Sequence, residues 1–333
     1  MTELAVPRQH TATHPAPHEV RAAIETEITT RWPQDATGLD AIHHYALKPP
    51  SKLLRPLLLC HSALVFGASL HRVLPAAVGF ESAHTGSLLH DDILDNDPLR
   101  RGRPAVHTRY GPEQAIVAGN ALFFTLFANL AECGQRGVSD DRIRQALAVQ
   151  ARAGQEVCRG AAQELTLAGA FDSGIPAYMS MARRKTAVML AAACQVGAIL
   201  AGASLDEQEK LAAFGEHLGL AFQIRDDLLP YDDASGRSGK PGDSDLRNHR
   251  PTLPILLALD LANPADEKAL RRLITAATYT PGAQQKLGVL LRRCGALTKA
   301  RHTADSHASS AREALTWLPP GPHLDALAQL AKE

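Results

Sequence analysis

Apolar residues recur three and four positions apart through most of this chain, and the alternation that marks a half-buried strand is almost absent. A chain so patterned buries its apolar stripes by packing helix on helix, which confines it to an all-α architecture. Alanine and leucine, both good helix formers, dominate, while aromatics make up only 5 %. The spacing predicts helices over 17–32, 37–47, 52–67, 72–95, 112–134, 139–168, 175–202, 205–229, 251–261, 265–277, 281–293 and 296–316, with a short terminal helix near 322–332. Segments rich in Pro and Gly separate them: KPPSK before the third, PLRRGRP at 98–104, YGPE at 110–113 and DDASGRSGKPGDSD at 232–245. The last is the longest polar loop in the body of the chain, and in a compact helical domain such loops usually serve function. No linker or internal repeat divides the sequence, so residues 19–333 are expected to form one domain behind a polar, proline-rich, disordered tail over 1–18.

Lys+Arg and Asp+Glu are both 35. This balance offers no basic excess for a nucleic-acid partner, and none is expected. Charge is instead local, with carboxylates in some segments and arginines in others, as a metal and phosphate site requires. Cys60, Cys133, Cys158, Cys194 and Cys294 are scattered, with no C-x-x-C pair, and read as reduced thiols rather than a disulfide framework or a zinc site. The N-terminus lacks the apolar centre of a signal peptide, and His10, His14 and His18 belong to the tail rather than to a metal site. No run of eighteen apolar residues occurs, so no transmembrane segment is expected, and the protein reads as soluble and cytoplasmic.

The most informative segment is ESAHTGSLLHDDILDNDPLRRGRP, residues 81–104. Asp91 and Asp95 stand four apart and share one helix face, where two like charges repel unless a cation sits between them. Carboxylate oxygens with room for water and phosphate suit magnesium. Asp92 and Asp97 add further acids, and Arg100, Arg101 and Arg103 follow as forked donors fitted to diphosphate oxygens. An acidic helix end before a basic turn is common on surfaces. Here Leu88, Leu89, Ile93 and Leu94 make the segment mostly apolar, which places its acids at the mouth of a core. A second helix ends in FQIRDDLLPYDD, residues 222–233, with Gln223, Asp226 and Asp227 running into the loop that holds Lys240, Asp243, Asp245 and Arg250. Two acidic helix ends, each followed by basic residues, suit a diphosphate bridged by several metal ions.

With both clusters in view, the sequence resembles the trans-isoprenyl diphosphate synthases, the farnesyl, geranylgeranyl and polyprenyl diphosphate synthase family, from about residue 48 to 257. SKLLRP at 51–56 is similar to that family's Gly-Lys-Arg-x-Arg-Pro segment. HDDILDNDPLRRGRPAVHTRYG at 90–111 is similar to its first aspartate-rich motif. Ala162-Gln163 resembles its Gly-Gln pair, Lys185-Thr186 its Lys-Thr pair, and FQIRDD with SGKPGDSDL its second motif. The resemblance implies an isoprenoid synthase fold, an orthogonal bundle of about twelve helices around a deep apolar cavity, usually dimeric. It implies metal ligands at Asp91, Asp95 and Asp226, with Asp92 and Asp227 beside them, and three Mg2+ ions when diphosphate is bound. The allylic diphosphate would be held by Arg100, Lys185 and Lys240, and isopentenyl diphosphate by Lys52, Arg55, His84 and Arg101. Thr186 and Gln223 would flank the reacting carbons. Departures from the pattern are Pro230 in place of a third aspartate, Ser51 and Leu53 in place of Gly and Arg, and Asn120 and Thr166 where acids are common.

The implied reaction is loss of diphosphate from the allylic partner, attack by the isopentenyl double bond, and loss of a proton. A terpene cyclase or an aromatic prenyltransferase would keep the metal ligands yet not need Lys52, Arg55, His84 and Arg101. A non-catalytic subunit would not need the clustered acids. Product length is expected to be set along the first-motif helix, where Ser87, Gly86 and Ala83 are small and Phe80 is the first bulky residue. Eleven residues separate Phe80 from Asp91, about 16 Å at roughly 1.5 Å per residue, which suits a geranylgeranyl product or one slightly longer. Phe123, Phe124 and Phe127 on a neighbouring helix are further candidates for the floor.

Overall fold

The computed structural model describes residues 15–48, 52–231, 244–276 and 282–332. In chain order the helices are α1 (Pro17–Arg31), α2 (Gly38–Leu47), α3 (Leu54–Leu64), α4 (Leu70–Leu94), α5 (Val106–Tyr110), α6 (Pro112–Gln135), α7 (Asp140–Leu167), α8 (Gly174–Ala182), α9 (Val188–Ala201), α10 (Leu205–Leu228), α11 (Ser244–Arg247), α12 (Leu253–Leu261), α13 (Pro264–Ile274), α14 (Ala283–Arg293), α15 (Ala296–Glu313) and α16 (Pro322–Leu330). One two-stranded ribbon, β1 (Leu99–Arg100) paired antiparallel with β2 (Arg103–Pro104), follows α4. The expected helices are present within a few residues, and the fold is all-α.

Local chemistry fixes the ends. Ser204 and Glu207 form a reciprocal capping box at the start of α10. Asn263 accepts from the amides of Ala265 and Asp266 ahead of Pro264, which opens α13. Gly202, at φ 83°, ends α9 in the left-handed conformation that spares a side chain its clash. Helix α4 lies along α6, and α9 along α3 and α10. One apolar core joins α1, α3, α4, α6 and α9, and a second joins α8, α10 and α12–α15.

Several expectations need correction. Helix α1 begins at Pro17, so residues 17 and 18 belong to it and not to the tail; His10 and His14 lie outside the described residues. The 98–104 segment, expected as a loop, is the ribbon, because Arg101 and Gly102 turn at φ 54° and 75° and bring the flanking pairs into register. The helix expected over 175–202 is interrupted by a π turn, Arg183–Ala187. Two helical stretches, Pro112–Gln135 and Gly174–Ala201, are long and apolar enough to cross a bilayer. A search for uninterrupted apolar runs misses them because both carry scattered polar residues. The most apolar part of the second is mostly buried, as in a core helix; that of the first is mostly not, and the helix exposes Ile116, Val117, Phe124 and Phe127.

Candidate active site

Both acidic clusters sit at the wrong end of a helix for their charge. Asp91 and Asp92 occupy the last turn of α4 with Asp95 as its cap, and Asp226 and Asp227 occupy the last turn of α10. A helix C-terminus already carries negative partial charge, so each acid there is disfavoured by about 0.3–1 kcal/mol unless a cation answers it. The fold supplies such cations. Arg100 donates to Asp92 Oδ1 through Nε at 2.8 Å and through its terminal nitrogen. Arg250 pairs with Asp95, and Arg247 donates to the fully buried Asp97 at 2.7 Å. Lys185 bonds Glu164 and lies 4.0 Å from Asp91 Oδ1. Arg250 also reaches Glu164 at 3.4 Å and Asp245 at 3.5 Å. The last turn of α4, the inner face of α7 and the segment entering α12 thus meet around one lysine and one arginine. Burial works against the Lys185 ammonium, yet Glu164 and Asp91 hold its pKa above the usual range. Arg250 is raised likewise against burial by Glu164, Asp95 and Asp245.

Lys185 and Thr186 project from the π turn, an insertion often found at functional sites. Two glycines clamp it. A Cβ on Gly160 of α7 would lie 2.4 Å from the Lys185 backbone nitrogen, and one on Gly219 of α10 would lie 2.4 Å from Ala187 Cα. Across the second approach, Thr186 Oγ1 donates to Gln223 Oε1 at 2.6 Å, and Gln223 Nε2 donates to Asp227 Oδ1 at 3.0 Å. The Leu253 amide lies 3.5 Å from the other Asp227 oxygen. The hydroxyl and carbonyl expected to face the reacting carbons are therefore bonded to each other here. Burial, then repulsion from Asp245 and Asp226, pushes the Asp227 carboxyl up to about 7, although Tyr178 and Gln223 pull the other way.

The third group is basic. Burial and then Arg55, Arg101 and Arg100 push His84 well below its usual range, so its imidazole is neutral among three guanidiniums. Burial lowers Arg55 to about 10, opposed by Glu81 and Asp226. Burial also lowers Arg101, again opposed by Glu81. Lys52 is exposed, 5.6 Å over the Phe222 ring, beside a cavity of about 20 Å³ lined by Lys52, Leu54, Leu218, Phe222, Arg225 and Leu330. Leu53, at φ 53°, turns inward and is buried just ahead of α3.

Lys240 lies outside the described residues. On α4, Phe80 is fully buried and Ala83 buried, while Ser87 donates to the His84 carbonyl at 2.8 Å. Gly86 serves helix packing, since a Cβ there would come within 2.8 Å of the Gly119 carbonyl oxygen on α6. Gln163 is spent on the Ala177 carbonyl at 3.3 Å, and Thr166 is exposed. The acid that α7 brings to the site is Glu164, which the sequence reading overlooked, as it did Glu81, Tyr178 and Arg247. Gly160 followed four residues later by Glu164 was the available signal. Among the described residues, no three Asp, Glu, His or Cys side chains already converge as a metal cage.

The profile of the polyprenyl synthetase family matches residues 36–288. Among proteins of known activity, this chain is 33 % identical over 280 residues to a geranylfarnesyl diphosphate synthase of Aeropyrum pernix, covering 83 % of this chain and 86 % of that one. It is 32 % identical over 313 residues to a geranylgeranyl diphosphate synthase of Methanosarcina mazei, covering 94 % and 93 %. Its fold superposes on a polyprenyl synthase from Caulobacter crescentus complexed with calcium and isoprenyl diphosphate, with a TM-score of 0.86, 31 % identity, and coverage of 94 % and 93 %.

Proposed function

This chain belongs to the polyprenyl synthetase family and is an isoprenyl diphosphate synthase, a trans-prenyltransferase, and on that premise we propose that it joins isopentenyl diphosphate to an allylic diphosphate with magnesium held at Asp91, Asp95 and Asp226. The observation that carries this reading is the gathering of Asp91, Asp95 and Glu164 around Lys185 and Arg250, with Asp227 at the end of α10 tied through Gln223 to Thr186, the next residue after Lys185.

The donor set fits a hard divalent cation: every acid offers carboxylate oxygen, and an ion there would complete its shell with diphosphate and water, as magnesium prefers. The calcium and isoprenyl diphosphate bound by the Caulobacter relative have the same chemistry. When bound, magnesium would neutralise charge developing on the leaving diphosphate. The chain's own cations act in the same direction. Arg100, Lys185 and Lys240 hold the allylic diphosphate, and donors fixed before reaction, as Arg100 is by Asp92 and Lys185 by Glu164, stabilise developing charge without reorganising. Arg55, Arg101 and Lys52 hold isopentenyl diphosphate, with neutral His84 offering a hydrogen bond that adds no repulsion. The Thr186–Gln223–Asp227 chain, buried at Thr186 and Asp227 and half-buried at Gln223, gives the site wall fixed dipoles. The names of the two relatives differ in product length, and the α4 stripe favours geranylgeranyl diphosphate or a slightly longer product. The exposed apolar face of α6 suits a second copy of the chain, giving a homodimer, and the free cysteines suit the cytoplasm.

Incubation with isopentenyl diphosphate and each allylic primer, with magnesium and product analysis, tests the reading. A linear prenyl diphosphate is expected. A cyclised hydrocarbon, an aromatic adduct, or no incorporation with any primer would overturn it.

A further inference from the structure

Arg100 and Arg101 stand on a ribbon of two residues per strand, too small to hold its own shape in water. Arg101, at its tip, keeps φ at 54°, a backbone conformation that residues with a side chain rarely hold unless their surroundings impose it. The Ala105 amide and the Thr108 hydroxyl close the ribbon's base on the Pro98 carbonyl, and Tyr45 adds support from the side of α2. Tyr45, in the last turn of α2, donates its hydroxyl to the Pro104 carbonyl at 2.7 Å. Its own backbone carbonyl accepts from Arg103. Its ring lies 4.1 Å from the Arg103 guanidinium carbon and 4.3 Å from that of Arg109, with Tyr110 edge-on at 5.5 Å. Tyr45 therefore ties both residues of β2 and the short helix α5 to α2, holding Arg103 by its ring and its backbone carbonyl and Pro104 by its hydroxyl.

We propose that Tyr45 is a positioning residue for diphosphate binding: by clamping β2 it keeps the ribbon in the one orientation that aims Arg101 at the isopentenyl diphosphate. The proposal rests on the substrate assignment of the preceding subsection. Arg100 is anchored to the end of α4 by its two bonds to Asp92, whereas Arg101 sits opposite Glu81 at the ribbon's tip with its backbone at positive φ, so its placement follows the ribbon's more closely. Pro104 strengthens the case, because a proline has no N–H to add to the ribbon's own ladder, and its carbonyl is the group that Tyr45 holds.

Steady-state kinetics of Tyr45→Ala, Tyr45→Phe, Arg101→Ala and the Tyr45→Ala/Arg101→Ala double variant provide the test. Tyr45→Ala should raise the KM for isopentenyl diphosphate about tenfold while the KM for the primer changes less than about threefold, with kcat nearly unchanged. Tyr45→Phe keeps the ring between the guanidiniums and loses one hydrogen bond, so its KM should rise only about threefold. In the Arg101→Ala background, Tyr45→Ala should add less than about twofold, because the group it positions is gone. Equal rises in both KM values, a collapse of kcat, or full additivity in the double variant would overturn the proposal. If Tyr45→Ala does not fold, Tyr45→Phe decides, and an unchanged KM there overturns it. An Arg101→Ala variant with normal KM would instead overturn the substrate assignment, and the proposal with it.

Discussion

Asp227 provides a sharp test of whether the second acidic cluster is held under electrostatic strain. Its carboxyl is carried from 3.8 to about 7, by burial first and then by Asp245 and Asp226. A folded-state pKa raised above the unfolded one means the native state holds the proton more tightly, so stability falls as pH rises between the two values and is level above about 7. Each pH unit in that window corresponds to about 1.36 kcal/mol, so from pH 5 to pH 7 the loss has a ceiling of about 2.7 kcal/mol. Asp227→Asn cannot ionise and escapes it. With an unfolding entropy of roughly 2.1 cal/mol/K per residue, a chain of 333 residues has about 0.7 kcal/mol/K, so the melting temperature of the variant should gain up to about 4 °C on wild type between pH 5 and pH 8. The assay is thermal unfolding of both proteins in EDTA at the two pH values. Groups away from this cluster titrate alike in both proteins, so the difference reports the Asp227 carboxyl together with its coupling to Asp226 and Asp245. Magnesium with pyrophosphate should narrow the gap at pH 8 by answering the same charge. A gap equal at both pH values would refute the reasoning.

Two further outcomes follow from the same geometry. Arg101→Ala, removing a guanidinium that faces Glu81 and His84, should raise the KM for isopentenyl diphosphate about tenfold or more and the KM for the primer much less; the reverse pattern in two-substrate kinetics would contradict the site assignment. Phe80→Ala should lengthen the product and Ser87→Phe should shorten it, and chromatography of the products showing no change in either would remove α4 as the determinant of length.

The fold was legible because the apolar period is long and unambiguous: α4, α6, α7 and α10 could be placed from spacing alone. The ribbon was not, since its two strands contain too few residues to show any period and depend on the left-handed turn at Arg101–Gly102. The π turn was hidden for a similar reason: MARRKTAVML has a continuous helical period, and the glycines that pack against the insertion, Gly160 and Gly219, belong to other helices. Asp91, Asp95 and Asp226 declared themselves through like-charge crowding. Glu164 and Glu81 did not, because each is a single acid on a helix face and gains meaning only when folding sets Lys185, Arg250, Arg55 and Arg101 around it. At Gly86 the sequence did not show that small size also serves the close approach of α6 at Gly119.

Magnesium-dependent condensation should require both acidic helix ends. The most direct test of this requirement is turnover of isopentenyl diphosphate with an allylic primer, titrated with magnesium, in wild type, Asp91→Ala and Asp226→Ala, each checked by circular dichroism for retained helix. Each substitution should lower turnover by about 10³-fold or more with helicity unchanged. Near-normal turnover in either folded variant would contradict the assignment of that cluster to the metals.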